Sequence, residues 1–207
     1  QTDESSVVFE FEDASGLRVR KEFRFDPQNY LIAFSASVEN GGVALNPTVL
    51  WGPGLSDSGA QAGGGGFLTG NYTQPPQGIY HLDGSVERLT VGDIDEQPAY
   101  EGPFRFVGID DHYFMAAALN AGEARMAFQS TPIAGLEDTQ RVLLSQSFTF
   151  PDPPENVQFF YGPKQLNLLR SVDAELVRAI NFGIFGWLAV PLLGALQWIY
   201  GFASNYG

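Results

Sequence analysis

The sequence predicts a mainly β fold, two packed antiparallel sheets followed by a helical tail. Three observations predict it. Apolar and polar residues alternate in short runs up to about residue 160. Turn-forming clusters such as "ASG", "NGG", "LDG" and "NAG" lie between several of these runs. Beyond residue 160 the apolar period lengthens from two to between three and four.

Taken in order, "SVVFEFED" opens the series, and "LRVRKEFRF" follows it with Leu17, Val19, Phe23 and Phe25 on one face and Arg18, Arg20, Glu22 and Arg24 on the other. Lys21 alone breaks that pattern. After the connection "DPQN", the run "YLIAFSASVE" puts Tyr30, Ile32, Phe34, Ala36 and Val38 on one side, which predicts an antiparallel hairpin. Further strands are expected at "GIYHL", "ERLTV", "FRFVGI", "HYFMAAAL", "ARMAFQS", "RVLLSQSFTF" and "VQFFYG". Residues 52 to 78 stand apart. Their nine glycines and three prolines lose too much entropy on ordering to make an interior strand, so a long mobile surface excursion is expected. "GGGG" within it is not a phosphate cradle, because neither a Lys-Ser/Thr pair nor a helix start follows.

From residue 162 the stripe Leu166, Leu169, Val172, Leu176 and Ile180 predicts an amphipathic helix over 162–181 that packs against the end of the sandwich. The last 27 residues carry no Lys, Arg, Asp, Glu or His. As a straight helix, Phe182 to Ala203 would be about 33 Å long, enough to cross a hydrocarbon core. Pro191, four glycines and Gln197 weaken a spanning reading. Beyond Pro191, Gly194, Gln197, Gly201 and Ser204 form a narrow polar stripe, and the remaining circumference is apolar. The pattern favours a helix lying in the bilayer interface over a buried core helix, which a mostly apolar circumference also suits. The expected interface set is Trp187, Leu188, Leu192, Leu193, Leu196, Trp198, Ile199, Tyr200 and Phe202, with Trp and Tyr at headgroup depth. The expected organisation is therefore a β domain over 1–161, a packing helix over 162–181 and an apolar interfacial segment over 182–207.

Charge narrows the partners. The net charge of -13 comes from 24 acidic and 11 basic residues, and residues 165–207 are neutral, so the β body carries all of it. An acidic body repels phosphate backbones, which excludes nucleic acid as an expected partner. No cysteine is present, hence neither disulfide nor thiolate chemistry. "QTDESS" has no initiator Met and resembles no signal peptide, and a piece of a longer protein is expected.

Chemistry has few candidates. In "GIDDHYF", a strand would place Asp110 and His112 on one face and Asp111 and Tyr113 on the other, but two ligands do not make a metal site. Asp93, Asp95, Glu96 and Glu101 fall in "GDIDEQPAYEG", which reads as a solvated acidic loop with nothing to bring two carboxylates together. His81 and His112, both in expected strands, are the only histidines for acid-base work. No hydrolase or metalloprotease motif occurs, so no enzyme, cofactor or metal is expected.

"FVGIDDHYFMAAAL", "VQFFYGPKQLNLLRSV" and "RAINFGIFGWLAVPLLGALQWIYGFASNYG" resemble the YidC family of bacterial membrane protein insertases, the last string nearly position for position. "FDPQNYLIAFSASVENGG" resembles it more weakly, and Val190 stands where the family often has a Lys before the proline. The resemblance implies a periplasmic β-supersandwich, similar in fold to galactose mutarotases, and an amphipathic helix on the periplasmic membrane surface leading toward a transmembrane helix. It implies a multi-pass protein of the bacterial inner membrane, of which this chain is a periplasmic fragment. The expected function is the non-catalytic periplasmic domain of an insertase and chaperone that inserts and folds inner-membrane proteins, alone or with the Sec translocon. Its expected partners are the inner-membrane lipid surface, nascent membrane proteins and Sec translocon components. A carbohydrate-binding or sugar-epimerising sandwich is the alternative, and its catalytic form needs a paired acid and base in a cleft, with His81 or His112 facing a glutamate as the only candidates. A chaperone that binds extended peptides along a strand edge is a third reading.

Overall fold

The computed structural model describes residues 5–52, 76–132 and 142–180, together with Pro191, Leu192 and Ala195. In chain order these form β1 (Ser5–Glu12), β2 (Leu17–Asp26), β3 (Leu31–Asn40), β4 (Val43–Leu45), β5 (Thr48–Trp51), β6 (Gln77–Leu82) and β7 (Ser85–Leu89). Then come α1 (Val91–Glu96), β8 (Ala99–Asp110), β9 (Phe114–Pro132), β10 (Val142–Thr149), β11 (Val157–Pro163), α2 (Leu166–Val172) and a 3-10 helix (Ala174–Ala179). The glycine-rich stretch expected to be a surface excursion lies, from 53 to 75, outside the described residues.

The strands pair antiparallel in the order β1-β2-β3-β11-β9-β8-β6-β7, with β10 and β5 branching from β9. Two long strands turn this one hydrogen-bonded sheet into two layers. The first half of β9, Phe114–Leu119, pairs with β11, whereas its second half, Arg125–Pro132, pairs with β10. Between them Asn120 and Gly122 take positive φ of 49° and 62°, and β8 shifts register between Phe104 and Phe106 at the same level. Both strands bend there, as bulges allow, and carry β10 and β5 back over β11 and β3. "NAG" is thus a kink inside one 19-residue strand rather than a turn between two.

Aromatic rings fill the space between the layers. Trp51 of β5 stacks on Phe159 of β11 at 3.9 Å between centroids, and Phe148 of β10 meets the same ring edge-on at 5.6 Å. Phe34 and Phe23 lie 6.0 and 6.3 Å from Trp51. The expected sandwich is present, and alternation is its cause: Phe159, Ala118 and Val107 point between the layers, while Phe160, Ala117, Leu119 and Phe106 point out the back.

That back face is covered by helix. Leu169 of α2 and Leu176 and Ala179 of the 3-10 helix are buried against Ile79, Phe106, Met115 and Phe160. The expected amphipathic helix therefore packs on the outer face of the larger layer and not on an end of the sandwich. It is also two pieces. Asp173 takes an extended backbone, φ -156° and ψ 130°, and its side chain accepts from the Glu175 amide at 2.9 Å, which ends α2 and starts the tighter helix.

Three further local readings are corrected. "GDIDEQPAYEG" is the short helix α1 followed by the start of β8, because Thr90 and Asp93 form a capping box. The Thr90 hydroxyl donates to Asp93 at 2.7 Å, and this bond holds the Asp93 carboxyl below its ordinary range. "ERLTV" ends as a strand at Leu89, since Thr90 caps the helix. His112 is in no strand. The chain turns at Asp111, whose carboxylate accepts from the Tyr113 and Phe114 amides at 2.7 Å each.

Candidate functional site

A seam of ion pairs and hydrogen bonds joins the sandwich to residues 163–180, the segment that precedes the apolar tail. Its centre is Asp110, at the end of β8 and with no exposure. One carboxylate oxygen, Oδ2, accepts from Arg88 Nη1 of β7 and from Lys164 Nζ, both at 2.9 Å. Lys164 is 7% exposed and Arg88 19%. A carboxylate this deep is tolerable only when paired, and two cations from separate parts of the chain pair it.

Arg88 bridges further. Its second terminal nitrogen, Nη2, donates to the carbonyl of Ala179, the last residue of the 3-10 helix. One guanidinium fork thus joins the buried carboxylate to the point where the chain leaves the described helical segment. Around it, Arg105 Nη2 donates to Asp173 Oδ2 at 2.7 Å, and Arg178 donates to the Gly84 carbonyl at 3.0 Å and pairs with Glu175 at 2.8 Å. The Gly84 carbonyl is available because Asp83 and Gly84, both at positive φ, make the tight β6-β7 turn. Lys164 also donates its backbone N–H to the Tyr113 carbonyl at 2.7 Å. The arrangement fixes a segment in place, and each of its charges is engaged in holding.

The residues weighed for chemistry are dispersed. His81 lies in β6, 5% exposed, with its ring 5.4 Å from Phe106 and Nδ1 3.9 Å from Glu175 Oε2. This is the one histidine-glutamate pair among the described residues; its histidine is buried against Phe106, and its half-exposed glutamate is paired with Arg178. His112 is exposed beside Tyr113 at a ring distance of 4.4 Å, so it shares no face with buried Asp110. Asp93 caps α1, Asp95 accepts from the Ser130 hydroxyl at 3.0 Å, and Glu101 pairs with Arg125 at the surface at 3.5 Å. Glu96 is exposed at the end of α1. The sugar-epimerising reading loses the open acid-base pair its chemistry requires.

Of the nine expected interface residues, Leu192 alone is described; it is helical and 55% exposed. Trp187, Leu188, Leu193, Leu196, Trp198, Ile199, Tyr200 and Phe202 lie outside the described residues. Among the described residues no helix is long and apolar enough to cross a membrane. Sequence reasoning missed the clamp: it set Asp110 on one strand face with His112, judged that pair insufficient for a metal site, and passed over Arg88 and Lys164. The apolar run "FVGI" that leads into Asp110 was the available signal that this acid is buried and needs cations from elsewhere.

A model of the YidC periplasmic domain matches residues 1–195, nearly the whole chain and both halves of the seam. The chain belongs to the YidC periplasmic domain family. A protein of Geobacter metallireducens named membrane protein insertase YidC is 34% identical over 118 residues, 55% of this chain and 22% of that relative. Those of Maridesulfovibrio salexigens and Geotalea daltonii, with the same name, are 26% and 25% identical over 94% and 100% of this chain. The chain spans 35% and 38% of the length of these last two. YidC relatives are thus matched along the whole sandwich, the seam included.

Proposed function

We propose that this chain is the non-catalytic periplasmic support of a membrane protein insertase, standing on the inner membrane through residues 182–207. The β domain over 1–161 stays outside the bilayer, the segment 162–181 is the brace, and the apolar segment lies in the interface. The observation that carries this reading is the clamp of Asp110, Arg88 and Lys164, which ties the exit of the brace at Ala179 to the sheet. A tail that enters lipid while its root is clamped to the sandwich sets how the sandwich stands relative to the membrane. The insertion of nascent inner-membrane proteins, alone or beside the Sec translocon, is work for the rest of such a protein, and this domain positions it without a cofactor.

Charge supports the same division. An acidic body gains nothing from anionic headgroups, so apolar burial must supply the affinity. Flotation of the 207-residue chain with liposomes, compared with a chain ending at residue 181, tests this. The full chain is expected to float at both low and high salt, and the shortened chain to stay at the bottom. Equal flotation of the two would refute the proposal.

A further inference from the structure

The two layers are unequal, and the smaller stops short. Beyond β11 and β3, the larger layer continues through β2 to β1. The smaller ends at β5, which pairs with β10 on one side and with no strand on the other among the described residues. Trp51 places β5 above the boundary of β11 and β3 through its contacts with Phe159 and Phe34. Among the described residues, no strand of the smaller layer therefore lies over β1 or over β2 beyond the contact of Phe23 with Trp51. Phe9 and Phe11 of β1 are 55% and 56% exposed, and Phe9 meets Phe23 edge-on at 5.9 Å, so both belong to the inner face.

A cleft of about 510 Å³ lies at this step. From β2 and β3 only one parity lines it: Val19, Lys21 and Phe23, then Phe34, Ala36 and Val38. From the other side the unbroken run 47–52 lines it, with both parities. A cleft that touches alternate residues of one pair of strands and every residue of another sees the first by its face and the second by its edge. Its geometry is that of a missing strand. A strand added to β5 would sit about 4.8 Å farther along the smaller layer and about 10 Å above the larger, over β3 and β2.

We propose that this cleft accepts an extended polypeptide segment, which pairs with the free edge of β5 and lays alternate apolar side chains, with an acidic one among them, on the inner face of β2 and β3. Backbone pairing supplies affinity and the face supplies selection, as in other strand additions. The acidic residue is argued from Lys21. It is the one charged residue lining the cleft, it interrupts the apolar alternation of β2, and it has no ion pair or hydrogen bond among the described residues. An occupant with a carboxylate at that register meets the charge, and one with a cation is repelled. The stretch 53–75 of the same chain is poorly suited by composition, being glycine-rich without an alternating apolar run.

The test uses the 207-residue chain in nanodiscs of neutral lipid and a fluorescein-labelled short peptide of alternating valine and threonine, with one glutamate on its valine face. Anisotropy is expected to show this peptide binding about tenfold tighter than its lysine counterpart. Lys21→Glu should invert the order, Lys21→Gln should abolish the preference, and a peptide with two central prolines should not bind. A photocrosslinker at exposed Leu50 should capture the peptide. Three results overturn the proposal: equal binding of all three peptides, an order unchanged by Lys21→Glu, or capture at Leu50 only of residues 53–75 or of a second copy of the chain.

Discussion

Asp110→Ala is expected to cost about 3–5 kcal/mol of folding free energy, because it leaves two largely buried cations with no counter-charge. Guanidinium unfolding followed by Trp51 fluorescence measures it, and for a domain of this size the melting temperature should fall by roughly 10 °C. Lys164→Met separates a lost ion pair from an unpaired buried charge. That change leaves Asp110 and Arg88 as a neutral pair and should cost much less, whereas Arg88→Met removes both the ion pair and the bond to Ala179 and should fall between. A loss below about 1 kcal/mol for Asp110→Ala would place the carboxylate in water and remove the clamp.

Gly108→Ala should be nearly as damaging. A Cβ there would lie 2.2 Å from the Ala116 carbonyl oxygen and 2.5 Å from the Ala117 Cα, both backbone atoms of the strand paired with it. Side chains can swing aside, but a paired strand cannot move without breaking its ladder. A cost of about 3 kcal/mol, or failure to fold, is expected from thermal melting. Gly78→Ala is the control. Its new methyl would meet the far end of the Phe128 ring at 3.0 Å and the Leu89 Cβ at 3.3 Å, and a shift of a few tenths of an ångström accommodates both. That variant should stay within about 1 kcal/mol of the parent. Equal stabilities for the two variants would contradict the close approach of β8 and β9.

Much of the architecture was legible in the sequence, for physical reasons that can be named. Alternation in "LRVRKEFRF" and "YLIAFSASVE" gave β2, β3 and their antiparallel pairing, because a half-buried strand has only one period to offer. The same signal could not separate a turn from a bulge at "NAG", since glycine at positive φ serves both. Nor could it show that Gly108 marks a close backbone approach, which depends on a strand met only in the fold. Of the apolar stripe, Leu169, Val172, Leu176 and Ile180 pack on the sheet and Leu166 is not among the packed residues, while the pattern was silent about the break at Asp173, where a side-chain cap competes with the helix. The seam was the least legible part. Asp110, Arg88 and Lys164 are 22 and 54 residues apart along the chain, and no local pattern encodes such a meeting. Lys21 was visible as an exception in the strand pattern, and its meaning depended on finding it in the lining of a cleft.

In the proposed arrangement the apolar segment lies in lipid at interfacial depth while the clamped sandwich stands outside. This arrangement is tested most directly by three chains that each keep one tryptophan, Trp51, Trp187 or Trp198, with the other two changed to Phe, bound to vesicles of brominated lipid. Bromines near the headgroup end of the acyl chain should quench Trp187 and Trp198 more than bromines near the chain terminus, and neither should quench Trp51. Trp187 and Trp198 left as bright as Trp51 would place the apolar segment outside lipid.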